Sequence, residues 1–192
     1  MTYLHLLKNQ ACSHGVTILG WCLMTNHVHF VAVPDEVESL ARTFGEANRL
    51  YTRMKNFSQN VRGYLFQGRF GSCVLDEAHL IAAARYIDQN PVRAGMVENA
   101  WDYEWSSAKF HMGIRTIDIL VADRTLMGLV HNWQELLAEQ DTNANAVLRA
   151  GSKIGRPMGS DGFLESIEHL TGRNLRKGRA GRPKKKGRRG RL

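Results

Sequence analysis

With 192 residues, 43% of them hydrophobic, the chain has room for one globular domain with a core and for a smaller appendage. No apolar run approaches 18 residues and the three cysteines show no CxxC spacing, which excludes a membrane span and a disulfide scaffold and predicts a cytoplasmic protein with reduced thiols. The net charge of +8 comes from the end of the chain, because residues 173–192 hold 11 of the 26 Lys and Arg residues and none of the 18 acidic ones.

The first 33 residues predict a helix followed by a β-hairpin. Leucine and alanine recur on one face of residues 3–15, which predicts a helix that ends at Gly15. Residues 16–24 alternate weakly in hydrophobicity, as expected of a strand. A polar turn at Thr25 and Asn26 then leads into a second apolar run, which we expect to be the partner strand.

Two histidines at the start of this second strand form a candidate site. His27 and His29 are two residues apart, so in a strand both imidazoles leave the same face of the sheet. Two nitrogen ligands at this spacing can hold a divalent metal ion and leave positions for a third side chain, water or a phosphate oxygen. Two core histidines bonded to the backbone would show the same pattern, so the two residues alone leave both interpretations open.

Residues 35–55 predict an amphipathic helix, which a polar loop joins to an extended segment at residues 64–75. Arg69 lies in that segment between a glycine and an aromatic residue. An arginine in such a place can bind a phosphate with two hydrogen bonds or stack on a base. An ordinary surface arginine is the alternative.

Residues 80–90 are rich in leucine and alanine and predict a helix, which should end where Pro91 disfavours helical geometry at Asn90. Tyr86 and Asn90 are four residues apart and therefore share one helix face. The phenol of Tyr86 is a candidate nucleophile, and the amide oxygen of Asn90 is a hard ligand suited to Mg²⁺ or Mn²⁺.

Beyond residue 95 the pattern is less regular. Trp101, Tyr103 and Trp105 alternate in a loop that either packs over the sheet or stacks on bases. Short helices are predicted at residues 133–140, 143–150 and 160–170. They form either a helical packing appendage or a helix-turn-helix-like reader of duplex DNA.

The basic tail at residues 173–192 has low complexity, and we expect it to be disordered when free. Arg182 stands between a glycine and a proline, and three lysines follow, Lys184, Lys185 and Lys186. This arrangement is similar to an AT-hook, in which an arginine lies in the minor groove of A/T-rich DNA. A generic polyelectrolyte arm is the alternative, and both would attract nucleic acid.

Several of these motifs together resemble one family. His27-Val28-His29 resembles the HUH motif, and Arg85-Tyr86-Ile87 followed by Asn90-Pro91-Val92-Arg93 resembles the tyrosine helix of single-tyrosine HUH transposases. The closer resemblance is to the bacterial REP-associated tyrosine transposases. It rests on Met24-Thr25-Asn26-His27, Gln67-Gly68-Arg69-Phe70 and Asp76-Glu77-Ala78-His79-Leu80, which stand in the order of that group.

The resemblance implies an α+β fold, in which helices pack on an antiparallel sheet of the ferredoxin-like HUH nuclease type. It divides the chain into a HUH transposase domain at residues 1–113, a helical segment at 114–172 and the basic tail at 173–192. Relatives begin with a strand and the start of a helix before the point that matches residue 3. We therefore expect this chain to lack the first strand and to expose backbone groups of the sheet.

The resemblance also implies a chemistry. His27, His29 and Asn90 would bind one Mg²⁺ or Mn²⁺ ion, and Tyr86 would attack a phosphate of single-stranded DNA beside a hairpin. The products would be a 5′-phosphotyrosine and a free 3′-OH. The residues expected to contact DNA are Arg69, Arg182, Lys184, Lys185 and Lys186. We expect no membrane partner, and both a monomer and a homodimer remain open.

Two other functions remain open. A truncated or domesticated copy would bind hairpin DNA without cutting it, which the missing first strand favours and the complete set of His27, His29, Tyr86 and Asn90 opposes. A metal-dependent hydrolase would need further ligands on strand ends, and the other histidines show no suitable spacing.

Overall fold

An antiparallel β-hairpin covered by helices forms the fold, which confirms the predicted α+β class. The computed structural model describes residues 2–139 and 142–176. The strands are β1 (Val16–Leu23) and β2 (Val28–Pro34). The helices are, in chain order, α1 (Tyr3–Ser13), α2 (Ser39–Gln59), α3 (Glu77–Asp88), α4 (Asn90–Arg93), α5 (Ala108–His111), α6 (Thr125–Leu129), α7 (Trp133–Ala138), α8 (Thr142–Ile154) and α9 (Asp161–Thr171), with a 3-10 turn at Ala100–Asp102.

The hairpin turns at the histidines. Cys22 pairs with His29 across the two strands, and the backbone N–H of Met24 donates to the carbonyl of His27 at 2.9 Å. The sequence predicted both histidines on a strand, but β2 begins at Val28. His27 lies in the turn instead, because the chain reverses between Met24 and His27.

The outer edge of β1 is bonded to the aromatic loop. The N–H of Leu23 donates to the carbonyl of Trp105 at 2.8 Å, and the N–H of Ser107 donates to the carbonyl of Trp21 at 2.9 Å. The loop therefore covers this edge with its backbone, while the Trp105 side chain stays 54% exposed. In the described part of the chain, no strand pairs with the outer edge of β2.

Two clusters of buried apolar side chains join the helices to the hairpin. The first includes Tyr3, Leu7, Trp21, Phe44 and Phe110. The second includes Leu19, Ala84, Ile87, Leu126 and Trp133. Phe30 and Val31 of β2 pack against different clusters, because successive side chains of a strand leave opposite faces. Each fully buried large apolar side chain contributes about 1.5–3 kcal/mol to folding.

The extended segment predicted at residues 64–75 lies in irregular structure. Its strand-like pairing is limited to an isolated bridge between Leu75 and Met158. Gly68 and Gly71 are a physical reason, because glycine loses more backbone entropy in a strand than other residues do.

The predicted C-terminal helices are confirmed as α7, α8 and α9. The Ser160 hydroxyl accepts a hydrogen bond from the N–H of Phe163 at 3.3 Å, and α9 ends at Gly172, where φ is +64°. Ser160 therefore caps the start of α9, and the left-handed backbone at Gly172 ends the helix. No helix among residues 2–139 and 142–176 is long and apolar enough to cross a membrane.

The predicted domain boundary at residue 113 and the tail stay predictions. Leu126 and Trp133, which follow that boundary, share the second apolar cluster with Ala84 and Ile87, which precede it. The tail residues with a predicted DNA contact, Arg182, Lys184, Lys185 and Lys186, lie outside the described residues.

Candidate active site

The tyrosine lies on α3, which begins at a side-chain cap. The Asp76 carboxylate accepts a hydrogen bond from a backbone N–H of the first turn at 2.9 Å. The sequence predicted that this helix ends at Asn90, but Gln89 caps it and Asn90 begins α4. Pro91 lies in the first turn of α4, where a helix needs no N–H donor, so the proline is accommodated there.

The structure brings three of the four predicted site residues into ring contact. The ring centroids of His27 and His29 are 4.8 Å apart, with the planes at 85°. The ring centroid of Tyr86 lies 5.9 Å from that of His29, with the planes at 89°. The hairpin thus presents its two imidazoles to the phenol on α3, although His27 lies in the turn and not on β2.

Arg93 also belongs to this site and was not identified from the sequence. Its guanidinium carbon lies 4.0 Å from the Tyr86 ring centroid, and Nη2 donates to the Tyr86 carbonyl at 2.7 Å and to Oδ1 of Asn90 at 2.6 Å. Burial lowers the pKa of Arg93, and the Tyr86 phenol opposes that shift. Arg93 follows Tyr86 by seven residues, about two helical turns, and this spacing could have identified Arg93 from the sequence.

The electrostatics of the site favour a neutral His29. Burial first, and then the positive charges of His27 and Arg93, lower the pKa of His29 to about 4. Its buried Nε2 atom has no hydrogen-bond partner in the described part of the chain. The His27 ring places Nδ1 2.6 Å from Oδ1 of Asn26, so Nδ1 donates, and in the neutral ring Nε2 carries the lone pair. Both rings therefore have a nitrogen available to bind a ligand.

A metal ion at this site would depend on few protein ligands. Among the described residues, no group of three or more His, Cys, Asp and Glu side chains is arranged to hold a metal ion. The orphaned Nε2 of His29 nevertheless fits an imidazole ligand. Asn90 fits less directly, because its Oδ1 accepts from Arg93 and would have to exchange that bond for the ion.

Arg69 is not part of this constellation. Its side chain is exposed and makes no hydrogen bond or ion pair with the described residues. The next residue, Phe70, packs on Phe44 with ring centroids 5.3 Å apart, and Phe44 packs on Phe30 at 5.1 Å. Arg69 is thus connected to β2 only through a row of aromatic rings.

The fold and site together define an α+β protein in which a helix-borne tyrosine faces a histidine pair on an antiparallel hairpin. Residues 2–90 match the family model described as "Transposase IS200 like". The matched span includes His27, His29 and Tyr86 and ends at Asn90. The match covers 89 of the 192 residues, and over this span the chain is similar to IS200-like transposases. Searches of curated proteins and of solved structures gave no match.

Proposed function

We propose that the chain is a REP-associated single-tyrosine transposase, which cuts and rejoins single-stranded DNA beside hairpin-forming repeats through a covalent 5′-phosphotyrosine. The observation that carries the proposal is the position of Tyr86, whose ring faces His29 and stacks with the Arg93 guanidinium. The family match over residues 2–90 supports a nuclease-type role. The motif around Arg69 supports the REP-associated subgroup.

In the proposed reaction the Oη atom of Tyr86 attacks the phosphorus of one phosphodiester. A bond from Oη to phosphorus forms, the bond from phosphorus to O3′ breaks, and the phenol proton passes through solvent to the departing 3′ oxygen. One strand end is then a phosphate ester of Tyr86 and the other is a free 3′-OH. Because the ester keeps the energy of the phosphodiester, another 3′-OH reverses the step and joins strands without ATP.

The residues around Tyr86 have separate tasks in this reaction. Arg93 holds the phenol ring in one orientation and places positive charge near the attacked phosphate. Mg²⁺ or Mn²⁺ bound by His27, His29 and Asn90 would supply Lewis-acid polarisation of that phosphate. The low pKa of His29 keeps its ring in the neutral form, which donates a lone pair.

The proposed substrate is single-stranded DNA next to a hairpin, because the stem supplies shape and the flanking bases can be splayed and read. Arg69, whose side chain is exposed and has no polar partner among the described residues, would contact a phosphate or a base of the flanking strand. The basic tail with Arg182 would add attraction that weakens as salt rises. One tyrosine per site means that one strand is cut at a time.

The test is a covalent adduct assay on a denaturing gel. The full chain is incubated with Mn²⁺ and with labelled single strands from hairpins beside its own gene. The wild type should form an adduct, and Tyr86→Phe and His27→Ala should form none. Tyr51→Phe is the matched control, because Tyr51 packs on Tyr3 with ring centroids 5.2 Å apart, away from the histidines. An adduct in Tyr86→Phe would overturn the assignment of the nucleophile.

The second candidate function is a hairpin-DNA-binding protein that does not cut. The observation in its favour is Asn90, whose Oδ1 already accepts a hydrogen bond from the Arg93 guanidinium at 2.6 Å. In the same assay this candidate predicts a shifted band on a native gel with every variant and no adduct on the denaturing gel. The two functions therefore separate in one experiment.

A further inference from the structure

A buried polar cluster lies on the side of α3 away from the tyrosine. We call it the Asp88 cluster, and it consists of Asp88, His111 and Trp133. The Asp88 and His111 side chains are 0% and 1% exposed, and Oδ2 of Asp88 lies 2.7 Å from Nδ1 of His111. The Trp133 Nε1–H donates to the same oxygen at 3.1 Å. The three residues come from α3, α5 and α7.

The geometry makes this cluster an ion pair. Nε2 of His111 lies 2.9 Å from the carbonyl of Leu19, so both ring nitrogens face acceptors and both must donate. Burial acts to lower the pKa of His111, but Asp88 and the Leu19 carbonyl outweigh it and the pKa is raised. The imidazolium therefore joins α3 to β1 as well as to α5.

Gln89 and Arg85, which are close to Asp88 in the sequence, bind the end of α7 and the residue that follows it. Nε2 of Gln89 donates to the carbonyl of Leu137 at 2.6 Å and to that of Glu139 at 3.1 Å. Nη1 of Arg85 donates to the Glu139 carboxylate at 2.8 Å. Arg85, Asp88 and Gln89, at the end of α3, thus all make polar contacts with α7 or with the residue that follows it.

Helical geometry relates these contacts to the site. Each residue of a helix turns by about 100°, so Asp88 lies about 200° around α3 from Tyr86 and faces away from the histidines. The N-terminal end of α3 is also bonded to the chain beyond residue 90, since Oδ2 of Asp76 accepts from the backbone N–H of Ser160 at 2.8 Å. Contacts from beyond residue 90, together with the packing of α3 on the hairpin, therefore set the rotation and height of α3 and hence the place of the phenol.

We infer that Asp88, His111 and Trp133 are positioning residues for Tyr86, which fix α3 so that the phenol and Asn90 meet the histidine pair. The inference rests on the proposed function for its catalytic consequence. A nucleophile must be held close to its productive geometry, and a displacement of about 1 Å costs up to about 100-fold in rate. His111 and Trp133 lie outside the span of the family match, which ends at Asn90.

The experiment removes one hydrogen bond from the cluster. Trp133→Phe keeps an aromatic ring against His111, whose centroid is 4.6 Å from that of Trp133, and deletes the donor to Asp88 together with part of the buried indole volume. Leu126→Val is the control, because Leu126 is 2% exposed in the same apolar cluster and has no polar contact with α3. Gln89→Met is a second test variant, which removes the two bonds to the end of α7.

The readout is the rate of adduct formation at saturating DNA, with DNA affinity and thermal midpoint measured in parallel. Trp133→Phe and Gln89→Met should each slow adduct formation about tenfold while the Kd for DNA stays within about twofold. Leu126→Val should lower the thermal midpoint without slowing the reaction of the folded protein. If Trp133→Phe behaves like Leu126→Val, the cluster is merely structural and the inference is wrong.

Hydrogen exchange separates this inference from the proposed function. Whether or not the wild type forms an adduct, the amides of residues 86–93 should exchange faster in Trp133→Phe and in Gln89→Met than in Leu126→Val. An inactive wild type with this exchange pattern would refute the proposed function and leave α3 positioned as inferred. Equal exchange in all three variants would overturn the positioning role.

Discussion

Raising the pH from about 6.5 to about 8.5 should destabilise the protein through His111. Burial acts to lower the pKa of His111, but the negative charges of Asp88 and Asp118 and the Leu19 carbonyl raise it above its ordinary value. A raised folded pKa gives stability that is complete below the unfolded pKa of about 6.5 and is lost as the pH rises through the folded pKa. One proton limits the slope to about 1.4 kcal/mol per pH unit.

The range from about pH 6.5 to about pH 8.5 separates the effect of His111 from the effects of His29 and Cys22. The pKa of His29 is lowered to about 4, chiefly by burial, so its contribution changes only below about pH 6.5 and has the opposite sign. Burial raises the pKa of Cys22 to about 12, so thiol ionisation in the unfolded chain begins to affect stability near pH 8.5 and above. Between these limits a fall in stability reports on the buried imidazolium.

The matched variant is Asp88→Asn, which keeps the shape of the side chain and removes its charge. A hydrogen bond to a charged group contributes about 1.5–3 kcal/mol, so the variant should be about 2 kcal/mol less stable near pH 6. The difference should shrink as the pH rises through the raised pKa of His111, because the wild type then loses the extra proton as well. Urea unfolding followed by tryptophan fluorescence at several pH values measures both curves. Equal slopes in the two proteins would refute the ion pair.

Three further predictions concern single substitutions. Arg93→Gln should slow adduct formation about 10–100-fold, because it removes the cation that stacks on Tyr86. An unchanged rate in the adduct assay would contradict this role of Arg93. Gly15→Ala should lower the stability measured by thermal melting by about 1–3 kcal/mol, because Gly15 has φ of +63° and the new Cβ would lie 2.5 Å from the Asp35 carboxylate. An unchanged stability would contradict the conformation of this turn. Leu7→Ala should cost about 2–5 kcal/mol in urea unfolding, since Leu7 is 0% exposed, and a loss under about 1 kcal/mol would argue against that core.

The elements that could be predicted from the sequence are those fixed by neighbouring residues. The α9 helix is an example, because Ser160 and Gly172 determine its two ends through local capping chemistry. The hairpin is another, since weak alternation around a polar turn needs only the two strands to pair. The contact of His29 with Tyr86 followed from the resemblance, because spacing along the chain cannot place two residues that are 57 positions apart.

The features that escaped prediction depend on contacts between distant elements. Nothing local to Asp88 shows that its partners are His111 and Trp133, because the pairing requires α3, α5 and α7 to be packed already. The role of Arg93 also depends on context. Pro91 indicated that the helix stops, but the chain resumes helical geometry directly, and only then does Arg93 return to the Tyr86 ring.

The part of the chain that matches the family contains His27, His29, Tyr86 and Asn90, whereas Arg93 and several contacts that stabilise the site lie beyond it. A two-stranded hairpin is marginal by itself, and here the outer edge of β1 is bonded to Trp105 and Ser107. Without residues beyond 90, these backbone groups and the Asp88 carboxylate would be left without their partners, at a cost of about 1–3 kcal/mol for each buried group. Both ends of α3 are bonded to the C-terminal part of the chain, one through the Trp133 side chain and the other through the backbone N–H of Ser160. Because the Trp133 bond depends on the side chain, substitution of Trp133 should change the geometry at Tyr86.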